Sequence, residues 1–153
     1  MATVHHSAIV TRDVEASLLF WRDGLGFAVL MDETFEGPWP ALFGWDPAAT
    51  TLRSIFLGDA SAADSGIVEL VAAVGTGPQT SAPANAEGFF LLSLSADLDD
   101  VLPRLAALGV GGDATVCAMG PVRLAVVHDP NGVRVELMDT AARANLAALS
   151  GTP

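Results

Sequence analysis

His6-Ser7-Ala8-Ile9-Val10, followed by Asp13-Val14-Glu15-Ala16-Ser17-Leu18-Leu19-Phe20-Trp21 and closed by Leu25-Gly26-Phe27, reads as a strand, an aspartate-led helix and a glycine stop. The same order returns in Phe90-Leu91-Leu92-Ser93-Leu94, Asp97-Leu98-Asp99-Asp100-Val101-Leu102 and Leu108-Gly109-Val110. An internal repeat outweighs local propensity, because both copies are expected to form the same supersecondary unit. Farther out, Ile67-Val68-Glu69-Leu70-Val71 is echoed by Val133-Arg134-Val135-Glu136-Leu137-Met138, an apolar run with a glutamate inside it. Between these ends lie strand candidates at 27–31 and 52–57 in the first half and at 114–118 and 122–127 in the second. Each half is therefore βαβββ. The expected fold class is α+β within a single domain, 1–153, since one core suffices at this length. Module one covers about 4–73, a Gly- and Pro-rich linker about 74–88, module two about 89–139, and a tail about 140–153 carries a C-terminal helix over 141–149.

Local chemistry sharpens the elements. Val14, Leu18, Trp21 and Leu25 make an apolar stripe on the first helix, with Asp13 placed to cap it. Pro103 would collide with the carbonyl four residues back in a helix begun at Leu98, so the second helix is expected to start near Asp100. Asp129-Pro130-Asn131-Gly132 has the composition of a tight turn, which joins two strands and aims Glu136.

Composition narrows the function classes. Apolar residues make up 51% and charged residues 16%, which excludes a disordered chain or a coiled coil. Eighteen acids against seven cations give a net charge of −11, which repels phosphate backbones and anionic lipid, so no nucleic acid and no membrane is expected as a partner. No apolar run approaches the ~20 residues of a membrane span, and the start lacks an export pattern. A single cysteine agrees with a cytoplasmic location.

Glu69 and Glu136 stand in apolar strands, where an unpaired buried carboxylate is costly. Either they face solvent as guards against edge pairing or meet Arg53, Arg123 or Arg134, or they are metal ligands. Alternation puts His6, Ala8 and Val10 on one face of the first strand and His5, Ser7 and Ile9 on the other, so one of the two histidines faces inward. An imidazole nitrogen with two carboxylates suits Fe, Mn, Zn, Ni or Co. His128 is read as a solvent-facing strand end and Cys117 as a packed thiol. Phe35, Trp39, Phe43 and Trp45 crowd a Gly- and Pro-containing stretch that either folds onto its own sheet or covers a flat apolar ligand; Phe56 and Phe90 extend this candidate substrate-binding wall.

The pattern His6-x-x-Ile9-x-x-x-Asp13-x-x-x-Ser17-x-x-Phe20-Trp21-x-x-x-Leu25-Gly26-Phe27, with Asp129-Pro130-Asn131-Gly132-Val133-Arg134-Val135-Glu136-Leu137, resembles the glyoxalase, bleomycin-resistance and extradiol-dioxygenase superfamily, also called vicinal oxygen chelate. The resemblance spans about 4–139. It implies two βαβββ modules forming a curled mixed sheet around a cavity, homodimers, and metal ligands from the first and last strand of each module. By that pattern the ligand positions are His6, Glu69, Phe90 and Glu136, and phenylalanine has no lone pair to give. The metal set is then His6, Glu69 and Glu136, with Glu69 or Glu136 as the catalytic base. The expected function is a divalent-metal-dependent dioxygenase, lyase or isomerase acting on a small, largely apolar oxygenated molecule. The alternative is a metal-free drug- or metabolite-binding protein with no cofactor, for which the acidic chain favours a cationic small-molecule ligand.

Overall fold

The computed structural model describes residues 4–62, 66–73, 75, 87–119 and 122–140; most of the linker and the expected helix over 141–149 lie outside the described residues. The chain divides into two compact units, Met1–Gln79 and Thr80–Pro153.

The first unit runs β1 (His6–Val10), α1 (Val14–Leu18), β2 (Ala28–Glu36), α2 (Trp39–Phe43), β3 (Thr51–Gly58) and β4 (Ile67–Ala73). Its sheet has the order β1-β4-β3-β2, with β1 parallel to β4 and the other pairs antiparallel. The Asp13 side chain accepts from the Ala16 amide at the start of α1. The helix then widens into a π turn over Leu19–Gly24, with the Leu25 amide reaching back to the Phe20 carbonyl at 2.9 Å. Ser17, Phe20, Trp21 and Gly24, spaced i, i+3, i+4 and i+7, are buried along it. Ile9, Ile55, Leu57, Val68 and Leu70 are buried on one face of the sheet, whose strand β4 packs against α1.

The second unit repeats the plan with β5 (Leu92–Ala96), α3 (Leu98–Leu108), β6 (Thr115–Met119), β7 (Val122–His128) and β8 (Arg134–Asp139), in the order β5-β8-β7-β6. Ala125, Val127, Val135 and Leu137 are buried here, and β8 packs against α3, whose buried residues are Leu98, Val101 and Leu105. Both modules are βαβββ with four-stranded mixed sheets. Among the described residues no helix is long and apolar enough to cross a membrane.

Four local expectations change. Helix α3 starts at Leu98, not Asp100, and keeps Pro103 inside it. Asp97 accepts from the Asp99 amide, Asp99 and Asp100 favour the positive end of the helix, and burying Leu98 offsets the proline. Strand β2 continues to Glu36 because β3 offers it a partner as far as Thr51, beyond the end of its apolar run. The aromatic stretch holds the short helix α2, closed by Gly44 in the left-handed region at φ 69°. Cys117 is exposed, because β6 is the edge strand of its sheet.

Candidate functional site

Pairing register fixes what shares a face. Glu69 lies opposite Ala8 on β1 and opposite Phe56 on β3, so His6, Glu69, Phe56 and Ser54 project from the same side of the first sheet. Parallel pairing of β1 with β4 brings the strand start beside Glu69. His6 Nε2 stands 3.2 Å from Glu69 Oε2, with the imidazole 37% and the carboxylate 14% exposed. Ser54, which is 3% exposed, donates its hydroxyl to Glu69 Oε1 at 2.5 Å.

His5 precedes β1 and so escapes strand alternation. Both histidine rings lie against Phe56, with centroids 6.0 Å away for His5 and 5.4 Å for His6, and their Nδ1 atoms are 2.8 Å apart. Alternation was expected to turn only one of the pair inward, whereas both rings meet Phe56.

In the second unit Glu136 lies opposite Ser93 on β5 and Val126 on β7. Ser93 donates to Glu136 Oε1 at 2.7 Å. The turn expected to aim it is built as its composition requires: Asp129 Oδ1 accepts from the Asn131 and Val133 amides at 2.8 Å each, and Gly132 takes φ 82°.

Among the described residues neither glutamate pairs with an arginine, and neither stands on a sheet edge. β4 and β8 are interior strands of their sheets. Arg53 makes a two-toothed pair with Asp32 at 2.7 Å, Arg123 holds Asp99 and Asp139, and Arg134 donates to the Phe90 carbonyl with its guanidinium over the Phe90 ring. The hydrogen bond from Arg53 holds the Asp32 carboxyl below its ordinary range.

The six aromatic residues expected to line a substrate wall fall into three groups. Phe56 joins His5 and His6. Trp39 stacks on Phe43 at 6.0 Å and Phe43 meets Trp45 at 5.0 Å, while Phe35 is an exposed residue near the end of β2 whose carbonyl accepts from the Trp39 indole. Phe90 is engaged by Arg134 in the second unit. His128 is exposed at the end of β7.

His5, Ser54 and Ser93 are the site neighbours that sequence reasoning missed. Ser54 left one signal: a hydroxyl inside the apolar run of β3 must find a partner once buried.

The chemistry of the first unit's pair fits a divalent cation. Two ligand atoms at right angles, each about 2.1 Å from one ion, stand about 3.0 Å apart, close to the His6–Glu69 separation of 3.2 Å. Among the described residues no three His, Cys, Asp or Glu side chains meet in a group able to hold a metal.

The family model for the Glyoxalase/Bleomycin resistance protein/Dioxygenase superfamily matches residues 3–137. The chain belongs to this superfamily. The Lactoylglutathione lyase-like protein terB of Aspergillus terreus is 33% identical over 148 residues, which cover 88% of this chain and 74% of that protein. A glyoxalase family protein from Bacillus cereus has the same fold, with a TM-score of 0.70 at 16% identity over 91% of this chain and 94% of the other. So does the trypanothione-dependent glyoxalase I of Leishmania major, at 0.65 and 20% identity over 98% and 95%.

Within this glyoxalase fold the strand register revises one equivalence. Ala8 faces Glu69 and Ser93 faces Glu136, so the residue matching His6, two places earlier, is Leu91 and not Phe90. The connection from Ser93 to the cap Asp97 is one residue shorter than that from Ala8 to Asp13, so counting back from the caps lands on the wrong residue. Leucine, like phenylalanine, offers no metal ligand.

Proposed function

We propose that this superfamily member is a divalent-metal-dependent enzyme of dioxygenase, lyase or isomerase type, acting in the cytoplasm on a small, largely apolar oxygenated molecule. The observation that carries this reading is the approach of His6 Nε2 to Glu69 Oε2 on one sheet face. His6 and Glu69 would supply two ligands to Fe, Mn, Zn, Ni or Co, and Glu136 is the carboxylate that the family resemblance adds to them. The metal, when bound, supplies a Lewis acid for neighbouring oxygens of the substrate. Glu69 or Glu136 takes or returns a proton at a carboxylate oxygen; Ser54 and Ser93 each hold Oε1, and at Glu69 the other oxygen faces His6 Nε2. Phe56 supplies an apolar wall beside His6, and the Phe35, Trp39, Phe43 and Trp45 group a second surface for a flat ligand.

The test is metal stoichiometry. The protein is dialysed anaerobically against each of the five metals, and bound metal per chain is compared with that of His6→Ala. Close to one metal per chain in the parent and none in the variant is expected, followed by oxygen-uptake and isomerisation assays on aromatic substrates. No retained metal overturns the enzyme reading.

The second reading, a metal-free protein that sequesters a drug or metabolite, is favoured by the same carboxylate. Ser54 and His6 already satisfy both oxygens of Glu69. Its expected outcome is ligand binding that is unchanged by chelators.

A further inference from the structure

Resting on the reading of Trp39, Phe43 and Trp45 as a ligand surface, and independent of any metal, we propose that helix α2 and its flanks form a binding shelf for an organic cation, a flat ring system that carries a fixed positive charge. Helix α2 buries none of its residues. Leu42 is 64% and Phe43 52% exposed, so apolar surface stands open to water. The rings are nevertheless fixed in place. Trp39 donates its indole N–H to the Phe35 carbonyl at 3.3 Å and lies on the Gly37 backbone, where a Cβ would stand 2.7 Å from Trp39 Cζ2. Phe43 is nearly parallel to Trp39, with 7° between the planes, and meets Trp45 at 41°. An aromatic face carries the negative side of its quadrupole, which attracts a cation and repels an anion.

Carboxylates bracket these rings. Glu36 ends β2 directly before Gly37, on which the Trp39 indole lies, and Asp46 directly follows Trp45. Both are exposed, and among the described residues neither forms an ion pair. Asp46 Oδ1 accepts from the Ala48 amide at 2.8 Å, which orients the carboxylate beside Trp45 and leaves its charge in place. Between Arg22 and Arg53 the chain has no arginine, lysine or histidine, and those two arginines are engaged by Asp23 and Asp32. A cation on the shelf therefore meets two uncompensated carboxylates at the two ends of the ring cluster. A small hydrated ion gains little from rings, because giving up its water is costly; a charge spread over an aromatic system loses less on drying and stacks as well. Charge and ring surface thus select the same occupant.

The experiment is equilibrium dialysis of the full-length protein, with a chelator present, against three probes built on one ring system: N-methylacridinium as the cation, acridine as the neutral ring and acridine-9-carboxylate as the anion, at mildly alkaline pH where acridine is uncharged. The cation is expected to bind about tenfold more tightly than acridine, and the anion more weakly than either. Glu36→Gln combined with Asp46→Asn, in which the asparagine oxygen still accepts from the Ala48 amide, is expected to bring the cation within about threefold of acridine while acridine itself binds as before. Phe43→Leu, at an exposed ring, is expected to weaken both. Cation binding no tighter than that of acridine, or a cation preference that survives the double variant, overturns the proposal. So does a chain that takes up no probe and doubles its mass in light scattering, since a second copy then covers the shelf. With the chelator present, failure here leaves the metal stoichiometry of His6 and Glu69 open, and a protein that retains no metal leaves this result standing.

Discussion

At Glu69 a buried hydroxyl and an imidazole meet one carboxylate, and Glu69→Gln separates their roles. The glutamine oxygen still accepts from Ser54, but its NH2 group faces His6 Nε2 in place of a charge. Metal uptake is expected to fall to the level of His6→Ala while the fold persists, as measured by metal per chain and the amide spectrum. Asp32 and Arg53 are a contrast, because both side chains are more than a third exposed and solvent screens them. The Asp32 carboxyl is depressed in the folded state by the Arg53 hydrogen bond, so its stabilisation is present above the unfolded carboxylate value of about 3.9 and is lost as pH falls through its lower folded value. Asp32→Asn is expected to lose about 0.2–1 kcal/mol at pH 7 and little below pH 3, read from urea unfolding at both pH values. Cys117, read from its apolar strand as packed, is expected to react with a thiol reagent in the native protein at one equivalent per chain. The types of these residues were legible in the sequence, but their neighbours depend on pairing register and strand order, which alternation in one strand does not contain.

Among the elements, α3 shows propensity overruled by packing. Asp97 begins the helix and Leu98, Val101 and Leu105 bury its stripe, so Pro103 is carried in the interior with no amide to donate. Pro103→Ala is therefore expected to stabilise the protein by about 1–3 kcal/mol, measured as an upward shift in denaturant midpoint with unchanged slope. The β7–β8 turn shows the reverse, composition and structure in agreement. Asp129 is buried and its Oδ1 holds two amides, so Asp129→Ala is expected to cost about 2–4 kcal/mol in the same measurement. The turn was readable because its residues bond to each other. The extent of β2 was not, since Asp32 and Glu33 are poor strand candidates alone and are held by pairing with Ile55 and Ser54 on β3.

At the scale of the whole molecule, the repeat was the most legible property, because two copies of the same apolar pattern lie far apart in one chain. The homodimer implied by family resemblance is a proposal, checked by light scattering for twice the 15.7 kDa chain mass. With a net charge of −11, capture of a cationic ligand is expected to slow as salt is raised, in stopped-flow traces at several ionic strengths. The shorter link between β5 and α3 also dictates how the second module has to be engineered. Leu91→His installs an imidazole at the place that the register makes equivalent to His6, whereas Phe90→His puts it one residue earlier and removes the ring beneath Arg134. A builder who aligns the halves by their helix starts would choose the second.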